Sequence, residues 1–251
     1  MKLISPPWAR PGGLLHQRIA AFSTTRAGGV SAPPYDSLNL GEHVGDDPAS
    51  VAENRALLSV QTRLKEPVRW LHQVHGSVVV EASSAAEPVE ADAIVCRQPG
   101  VPIAIMTADC IPVLLAADDG SVVAAVHAGW RSLSADILAK TITAMDTPAA
   151  RLVAWIGPGI GVAAYEVGDE MRDAFVARNH TATNCFMPNE RGRWQADLKM
   201  LTLLALRREG LARVTDCGRC TYTDADDFFS HRRAAPCGRM ASVIWIGPAG
   251  A

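Results

Sequence analysis

The sequence predicts a single-domain α/β (α+β) sandwich, in which mixed β-sheets are flanked by helices. Two observations predict this class: short apolar segments bounded by turn residues, which are typical of strands, and longer amphipathic stretches between them. Runs such as VVAAVHA (122–128) are apolar on both faces, so we expect them in the middle of a sheet that is covered on both sides. The length of 251 residues fits one domain that spans 1–251.

The predicted strands share a short apolar core that ends at Gly, Pro, Asp or Ser. They are SVVVEAS (77–83), DAIVC (92–96), VPIAIM (101–106), PVLLAA (112–117), SVVAAVHA (121–128), LVAWIG (152–157) and MASVIWI (240–246). The order of these strands in the sheets is not encoded by any local pattern.

The predicted helices begin at residues that can cap a helix. Asp47 followed by Pro48 is an N-cap with proline at the first helical position, and it opens a helix that extends to about Leu64. The remaining predicted helices are 135–145 after a cap at Ser134, 169–178 after Gly168, and 198–209 between a cap at Asp197 and a stop at Gly210.

Composition and charge exclude several classes of protein. With 48% hydrophobic residues the chain has ample material for a core, which excludes a mainly disordered protein. The net charge of −2, from 24 basic and 26 acidic residues, gives no reason to expect a nucleic-acid partner. The longest apolar stretch, 101–117, is interrupted by Thr107, Asp109 and Pro112, so we expect a soluble protein without a membrane partner.

The N-terminus and the cysteines predict a cytoplasmic protein. The opening residues MKLISPPWARPGG contain no apolar segment of the kind found in a targeting peptide. Six cysteines in a chain of this length do not form a disulfide framework, so free thiols in a reducing compartment are expected.

One early segment, TTRAGGVSAPPYDSLNLGEHVGDDP (24–48), is predicted to be a binding loop. It contains four glycines and three prolines, and an irregular stretch of this length inside a compact domain is usually functional or disordered. The apolar Tyr35, Leu38 and Leu40 favour an ordered loop.

Two histidines and a cysteine at predicted strand ends form a candidate metal site. His75 precedes a strand, Cys110 lies in the polar break between two strands, and His127 lies near the end of another strand. Side chains at strand ends gather at one edge of a sheet, and three such ligands with a vacant fourth position are typical of catalytic zinc. The alternative is that Cys110 is a small buried apolar residue and that each histidine is a satisfied polar group.

The same cysteine supports a second hypothesis, in which Cys110 is a nucleophile, His127 its base and Asp109 the acid that orients the base. Adjacent residues of a strand point to opposite faces, so Asp109 would need a loop conformation to join such a triad. A metal-bound thiolate is a poor nucleophile, so the two hypotheses exclude each other.

Two arginines are candidates for anion recognition. Arg26 lies beside two glycines whose amides can approach a ligand, and Arg131 follows the HAGW turn just before the helix predicted after Ser134. The alternatives are that Arg26 pairs with a carboxylate such as Asp36 or Glu42, and that Arg131 is solvated.

Other motifs are absent or weak. The CGRC segment (217–220) is a single CxxC pair near the end of the chain, so we interpret it as structural. The acidic residues 224, 226 and 227 beside Arg232 and Arg233 are interpreted as a salt-linked loop. The chain has no GxGxxG after a strand, no GxxxxGK[ST], no HExxH and no HxE…PCxxC deaminase signature.

These motifs together resemble the bacterial laccase-domain, or polyphenol oxidase, family, whose members are also called purine nucleoside phosphorylases and peptidoglycan editing factors. The resemblance extends from about Phe22 to Ile246 and rests on segments that occur in order. They are TTRAGGVSAPPYDSLNLGEHVGDD, WLHQVHG, ADAIV, MTADCIPVLL, VAAVHAGWRSL, WIGPGIGVAAYEVG and CTYTDADDFFSHRR…GRMASVIWI.

The resemblance implies a zinc site and a nucleoside substrate. The family's zinc ligands match His75, Cys110 and His127. His72, three residues before His75, does not match a family ligand and is a rival whose role stays open. The implied activity is phosphorolysis of adenosine, inosine and methylthioadenosine, with adenosine deamination as a side activity. The implied partners are therefore a purine nucleoside and phosphate, and Arg26, with Arg131 as a weaker candidate, is expected to orient the phosphate.

The family's names suggest two other functions. Peptidoglycan editing, the hydrolysis of a wrongly incorporated amino acid from a cell-wall precursor, could use zinc or Cys110. A laccase needs about ten histidines and HxH pairs by the pattern of multicopper oxidases, whereas this chain has 7 histidines and no HxH. Met106 could complete a single blue-copper set, but one such site transfers only single electrons, so we expect copper to bind only adventitiously. A non-enzymatic metal-binding interaction protein is the remaining alternative.

Overall fold

A computed structural model describes residues 1–15, 17–82 and 88–247, which form a sandwich of two β-sheets with helices on its outer faces. The strands are β1 (Leu3–Ile4), β2 (Ile19–Thr24), β3 (Leu71–His72), β4 (Val79–Glu81), β5 (Val89–Glu90), β6 (Ala93–Cys96), β7 (Ile103–Thr107), β8 (Ile111–Ala117), β9 (Val123–Ala128), β10 (Leu152–Ile156), β11 (Glu166–Val167), β12 (Phe186–Pro188), β13 (Trp194–Ala196), β14 (Arg213–Asp216) and β15 (Met240–Ile246). The α-helices are α1 (Pro48–Thr62), α2 (Trp130–Ser134), α3 (Ile137–Ala144), α4 (Asp169–Val176) and α5 (Leu198–Arg208).

The larger sheet has six strands in the order β14-β10-β8-β9-β6-β4 and is mixed, because β10 pairs with β14 and β4 with β6 in parallel while the other pairs are antiparallel. Its central strand β8 is fully buried. Val113 and Leu115 face the helices, whereas Leu114 and Ala116 face the second sheet. This confirms the prediction that strands with two apolar faces lie in the middle of a covered sheet.

The smaller sheet has four strands in the order β1-β2-β15-β7, and it packs against the larger one. The inner layer between them contains Ile103 and Ile244 from the smaller sheet and Leu114, Val123 and Trp155 from the larger sheet, all essentially inaccessible to solvent. Helices α2, α3 and α5 cover the outer face of the larger sheet, α4 packs against α2 and β13, and α1 covers the smaller sheet. The predicted sandwich is therefore confirmed.

The segment 24–48 is an ordered loop that is fastened by one buried side chain of α1. Asn54 accepts a hydrogen bond from the amide of Val30 (2.8 Å) and donates to Ser31 Oγ (2.9 Å) and to the carbonyls of Ser37 (3.2 Å) and Asn39 (2.9 Å). Asn54 is completely buried, so the loop has a fixed position on the smaller sheet.

Most predicted helix starts are confirmed. The carboxylate of Asp47 accepts from the amides of Ala49 and Ser50 at the start of α1, and Asp197 accepts from the amide of Met200 at the start of α5. Gly168 occupies the N-cap position of α4.

The predicted helix 135–145 with a cap at Ser134 is wrong in its boundary. Ser134 ends α2, and the chain then bends at Asp136, whose φ of 61° lies in the left-handed region. The helix α3 starts only at Ile137.

The predicted strand 77–83 is shorter in the structure, where β4 spans Val79–Glu81. The last residue of the predicted strand, Ser83, lies outside the described residues. Within the described part of the chain, no helix combines the length and apolar character needed to cross a bilayer.

Candidate metal centre

His75, Cys110 and His127, which lie far apart in the sequence, meet at one edge of the larger sheet. His75 lies in the turn after β3, Cys110 in the turn between β7 and β8, and His127 inside β9 near its end. One ligand atom from each residue lies within 4.8 Å of the others, and the Cys110 Sγ is 3.8 Å from Nε2 of His75. Among residues 1–15, 17–82 and 88–247, this is the single group of three or more such residues that could hold a metal ion.

The antiparallel pairing of the sheet explains why these side chains converge. In the register of β8 and β9, Pro112 is opposite His127 and Ile111 is opposite Ala128, so the turn that carries Cys110 lies beside the end of β9. The two imidazole rings meet edge to face, with centroids 4.7 Å apart. A borderline-soft set of two nitrogens and one sulfur is a donor set that suits zinc, so the residues present fit this metal.

A buried carboxylate, Asp92, positions both histidines. Its Oδ1 accepts from the amide of His75 (2.9 Å) and lies 2.7 Å from Nδ1 of His127, while its Oδ2 accepts from the amides of Gly76 (2.6 Å) and Val74 (3.3 Å). Asp92 is completely buried immediately before β6. Nδ1 of His127 can therefore carry the ring proton and donate it in a hydrogen bond to Asp92, which leaves Nε2 available as a metal ligand.

Gly129 leaves room for the three side chains. A Cβ at this position would lie 3.0 Å from Cδ2 of His75, 3.2 Å from Sγ of Cys110 and 3.7 Å from Cε1 of His127. Any larger residue at Gly129 would therefore press on the whole ligand set.

In the metal-free protein, Cys110 and His127 stabilise each other as a thiolate and an imidazolium. Burial acts to raise the pKa of Cys110, but His127 and His75 outweigh it and lower that pKa from 9.0 to about 6. Burial likewise acts to lower the pKa of His127, but Cys110 and Asp92 raise it from 6.5 to about 9. Burial also acts to raise the pKa of Asp92, and hydrogen bonds from His127 and from backbone amides bring it below its usual value.

A cavity of about 340 Å³ opens onto the three ligands, and Tyr165, Arg232 and Arg239 contribute to its other walls. Arg239 donates from Nη1 to the carbonyl oxygens of Cys237 (2.9 Å) and Gly238 (3.1 Å). Arg232 donates to the carbonyl of Glu166 (2.9 Å), and its Cζ lies 5.2 Å from the ring centroid of Tyr165. In the described part of the chain neither arginine is paired with a carboxylate, so both charges are available to an anion.

His43 also lines this cavity. Burial, and then the positive charges of Arg239, His72 and Arg55, lower the pKa of His43. His72, the histidine next to the ligand set in sequence, lies on β3 and is not part of the group of three. The loop 24–48 therefore reaches the cavity through His43.

Arg26 and Arg131, the sequence candidates for phosphate, lie outside this cavity. Nη2 of Arg26 is 3.0 Å from Oδ2 of Asp36, and Arg26 lines a separate cleft formed by the loop 24–48 and residues 225–226. Arg131 lies inside α2, and its Cζ packs 4.2 Å from the ring centroid of Trp130. The pairing of Arg26 with Asp36 is one of the alternatives that the sequence left open.

The predicted role of Asp109 as the acid that orients His127 is wrong. Asp109 has a φ of 95° and therefore has the predicted loop conformation, but its carboxylate accepts from Thr221 Oγ1 (2.7 Å) and from the amide of Arg232 (2.7 Å). Asp92 occupies the place beside His127 instead. Asp109 thus joins the Cys110 turn to the C-terminal segment that carries Arg232.

The other sequence motifs have structural environments. Cys217 and Cys220 are free thiols, and the Cys220 sulfur accepts from the amide of Gly161 (3.1 Å). The loop after Cys220 is salt-linked as predicted, but its partner differs from the prediction. Asp224 and Asp227 pair with Arg219, at 2.5 and 2.6 Å, and not with Arg232 or Arg233. Met106 lines the cavity, and its sulfur lies 3.9 Å from Nη2 of Arg55.

Sequence reasoning did not identify Asp92, Arg232 or Arg239 as functional candidates. For Asp92 a signal existed, because a charged residue that opens the apolar run AIVC must be buried and therefore paired. The two arginines lie in polar C-terminal segments that carry no local pattern, and only the fold brings them to the ligands.

The chain is similar to proteins of one known family over nearly its whole length. Residues 20–247 match the family model described as multi-copper polyphenol oxidoreductase laccase. A purine nucleoside phosphorylase of Pseudomonas aeruginosa is 45% identical over 244 residues, which cover 97% of this chain and 98% of that protein. A purine nucleoside phosphorylase of Escherichia coli is 44% identical over 248 residues, which cover 98% and 99%.

A solved structure from Neisseria meningitidis shares the fold. It has a TM-score of 0.89 and 44% identity to this chain, and the match covers 92% of this chain and 95% of that one. A Bacillus licheniformis structure has a TM-score of 0.85 at 28% identity. The protein is therefore a member of the multi-copper polyphenol oxidoreductase laccase family.

Proposed function

We propose that this chain is a zinc-dependent purine nucleoside phosphorylase with adenosine deaminase side activity. The observation that carries the proposal is the His75–Cys110–His127 group in the wall of a cavity that also contains two unpaired arginines. The proposal is also supported by the relatives that are named purine nucleoside phosphorylases. Residues from His75 to Arg239 contribute to one cavity, which supports treating 1–251 as one functional domain. The six free thiols fit the cytoplasmic location that we also propose.

The cavity size favours a small substrate. A volume of about 340 Å³ lies at the lower end of the roughly 300–1,000 Å³ that ligand pockets span. A nucleoside with one phosphate suits such a space better than a nucleotide-linked cell-wall precursor. This is the reason for preferring phosphorolysis to peptidoglycan editing.

In phosphorolysis an oxygen of phosphate forms a bond to C1′ of the ribose, the bond from C1′ to the purine nitrogen breaks, and the purine takes up a proton. Arg232 and Arg239 are placed to hold the anionic phosphate while positive charge develops on the sugar. Burial raises the pKa of Tyr165 well above its usual value, so this phenol keeps its proton and can donate a hydrogen bond to the substrate. His75, Cys110 and His127 would hold zinc, which supplies Lewis acidity to this wall of the cavity when bound.

Two arginines with different surroundings compete for the phosphate role, and a pair of variants separates them. Arg26, the candidate from the sequence, is neutralised by Asp36, whereas Arg239 faces the ligands. We expect Arg239→Gln to raise the KM for phosphate about tenfold or more, because a charge-assisted contact is worth roughly 1.5–3 kcal/mol. Arg26→Gln is expected to change it less than about twofold. A larger increase of the KM for phosphate in Arg26→Gln than in Arg239→Gln would assign the phosphate role to Arg26.

The activity itself is tested with purified protein of measured metal content. Adenosine is added with and without phosphate, and adenine, inosine and hypoxanthine are separated by chromatography. We expect phosphate-dependent release of adenine, which Cys110→Ala abolishes together with equimolar zinc. Inosine without adenine would make the protein chiefly a deaminase. No turnover with zinc at an equimolar ratio would refute the nucleoside proposal and direct the assay to cell-wall precursors.

A further inference from the structure

A second cluster of reactive side chains lies outside the metal centre, around Cys217 and Cys220. Both cysteines are free, and Cys220 lines a cavity of about 420 Å³ on the outer side of the larger sheet. Lys199 also lines this cavity, and its Nζ lies 2.8 Å from Oδ1 of Asp216 and 3.9 Å from Sγ of Cys217. Neither the ligand set nor the substrate cavity uses these residues.

The two sulfurs lie close along the chain but in different environments. The sulfur of Cys220 accepts from the amide of Gly161 at 3.1 Å. Burial acts to raise the pKa of Cys220, but hydrogen bonds from Thr223, Gly161 and Tyr222 outweigh it and lower that pKa. Burial raises the pKa of Cys217 to about 11, which keeps its thiol protonated. The surroundings of Cys220 thus favour its thiolate form next to a cavity, whereas Cys217 keeps its proton.

The backbone between the two cysteines allows them to approach each other. Gly218 has a φ of 69°, a conformation that lets the chain turn immediately after Cys217. The amide of Arg219 donates to the Cys217 sulfur at 3.4 Å, so this sulfur lies beside the backbone between the two cysteines. The two cysteines have the CxxC spacing that disulfide oxidoreductases use.

We propose that Cys217 and Cys220 form a thiol–disulfide site that reacts with low-molecular-weight disulfides through the 420 Å³ cavity, with Cys220 attacking and Cys217 resolving. The Cys220 thiolate attacks one sulfur of the small disulfide, forms a mixed disulfide and releases one small thiolate. Cys217 then loses its proton and attacks the Cys220 sulfur, which forms the Cys217–Cys220 bond and releases the second small thiolate. The protein dithiol is oxidised, and the small disulfide is reduced to two thiols.

The site is connected to the substrate cavity, although its chemistry does not depend on the proposed function. Gly161 follows Ile160, which lines the substrate cavity. Thr221, next to Cys220, donates to Asp109 beside Cys110. Oxidation would change the Cys220 sulfur that accepts from Gly161, so the structural change would begin beside Ile160 and Gly161, which line the two cavities.

Peptide mapping tests the site without any measurement of activity. Full-length protein is incubated with oxidised glutathione, alkylated and digested with trypsin, which cleaves after Arg219 and so separates the two cysteines into peptides 214–219 and 220–232. We expect these two peptides to be joined by a disulfide in the wild type. With Cys217→Ala we expect a stable glutathione adduct on Cys220, because the resolving thiol is missing. With Cys220→Ser we expect Cys217 to react at least about tenfold more slowly than Cys220 reacts in Cys217→Ala.

Three results would overturn the proposal. One is a stable glutathione adduct on Cys220 of the wild type without a joined peptide pair. Another is no reaction at Cys220 in either the wild type or Cys217→Ala. The third is faster reaction of Cys217 in Cys220→Ser than of Cys220 in Cys217→Ala. Adducts on Cys110 are recorded separately on its own peptide, so a failure of the metal centre and a failure of this site remain distinguishable.

Discussion

Asp92→Asn is the substitution that tests the construction of the metal centre most directly. The wild-type carboxylate accepts four hydrogen bonds, two at each oxygen. An asparagine has one oxygen and one NH₂ group, so one of the two positions must become a donor. Because Asp92 is completely buried, water cannot compensate for the change.

Each of the two orientations of the new amide damages the site in a different way. If NH₂ replaces Oδ2, it faces the amides of Val74 and Gly76, which are donors and lose their acceptor. If NH₂ replaces Oδ1, it faces the amide of His75 and forces Nδ1 of His127 to accept, which places the ring proton on Nε2. A protonated Nε2 cannot bind a metal.

The magnitudes follow from these lost contacts. A buried donor without an acceptor costs about 1–3 kcal/mol, so we expect the free energy of unfolding of the metal-free protein to fall by about 2–4 kcal/mol. Loss of a carboxylate partner behind a ligating histidine lowers metal affinity about 10- to 100-fold. Denaturant unfolding and competition with a chelator of known zinc affinity measure the two effects. The exposed Asp146→Asn is the matched control, and it should change neither.

Unchanged zinc affinity in a folded Asp92→Asn protein would refute the reasoning, because the proton on His127 would then not depend on Asp92. A large loss of stability with unchanged affinity would assign Asp92 to the fold alone. Only a fall in both quantities agrees with a carboxylate that supports the backbone of His75 and the ring of His127 together.

Three further predictions concern the space, the charge and the loop around the site. Gly129→Ala should lower zinc affinity while the fold persists, because its Cβ would lie 3.0–3.2 Å from two ligands, whereas Gly168→Ala, which also changes an N-cap glycine but has nothing within 4 Å, should leave zinc affinity unchanged. In metal-free protein the Cys110 contribution to stability disappears as pH falls through about 6, and the His127 contribution disappears as pH rises through about 9. Between about pH 6.5 and 9 the two contributions change with pH in opposite directions and offset each other, so the free energy of unfolding should vary little with pH there, and alkylation of Cys110 should stay fast down to about pH 6. Asn54→Ala removes four hydrogen bonds and should lower the free energy of unfolding by about 2–4 kcal/mol.

A specific result would contradict each of these three predictions. Gly129→Ala with wild-type zinc affinity would mean that the ligands relax without cost. A midpoint near pH 9 for alkylation of Cys110 would mean that His127 does not stabilise the thiolate. An Asn54→Ala protein as stable as the wild type would mean that the loop 24–48 is held by other contacts.

Local chemistry explains which elements could be predicted from the sequence. The start of α1 was predictable because Asp47 and Pro48 determine it within one turn. Strands such as β8 were predictable because both of their faces are apolar. The strand β2 (IAAFST) was not predicted, since its polar end is compatible with burial only when Ser23 meets Ser242 across the sheet. The start of α3 was predicted too early in the chain because Asp136 adopts a left-handed conformation, which no local sequence pattern indicates.

The candidate site divides in the same way. His75, Cys110 and His127 could be selected because each is a ligand type at a predicted strand end, and the structure brings them within 4.8 Å. Asp92 and Arg239 could not be selected by that criterion, since the contact of Asp92 with His127 and the position of Arg239 in the cavity depend on neighbours distant in sequence. Arg26 was a candidate for anion recognition because it lies beside two glycines, but in the structure it is paired with Asp36.

The arrangement around Cys110 favours a metal ligand over a free nucleophile. A nucleophilic thiolate needs one imidazole as its base, and His127 with its Asp92 partner would suffice. A second imidazole is nevertheless held beside the sulfur. His75 has a φ of 59°, its amide donates a hydrogen bond to Asp92, and its Nε2 lies 3.8 Å from the Cys110 Sγ. A cysteine hydrolase has no use for this second ring, whereas a three-donor metal site requires it.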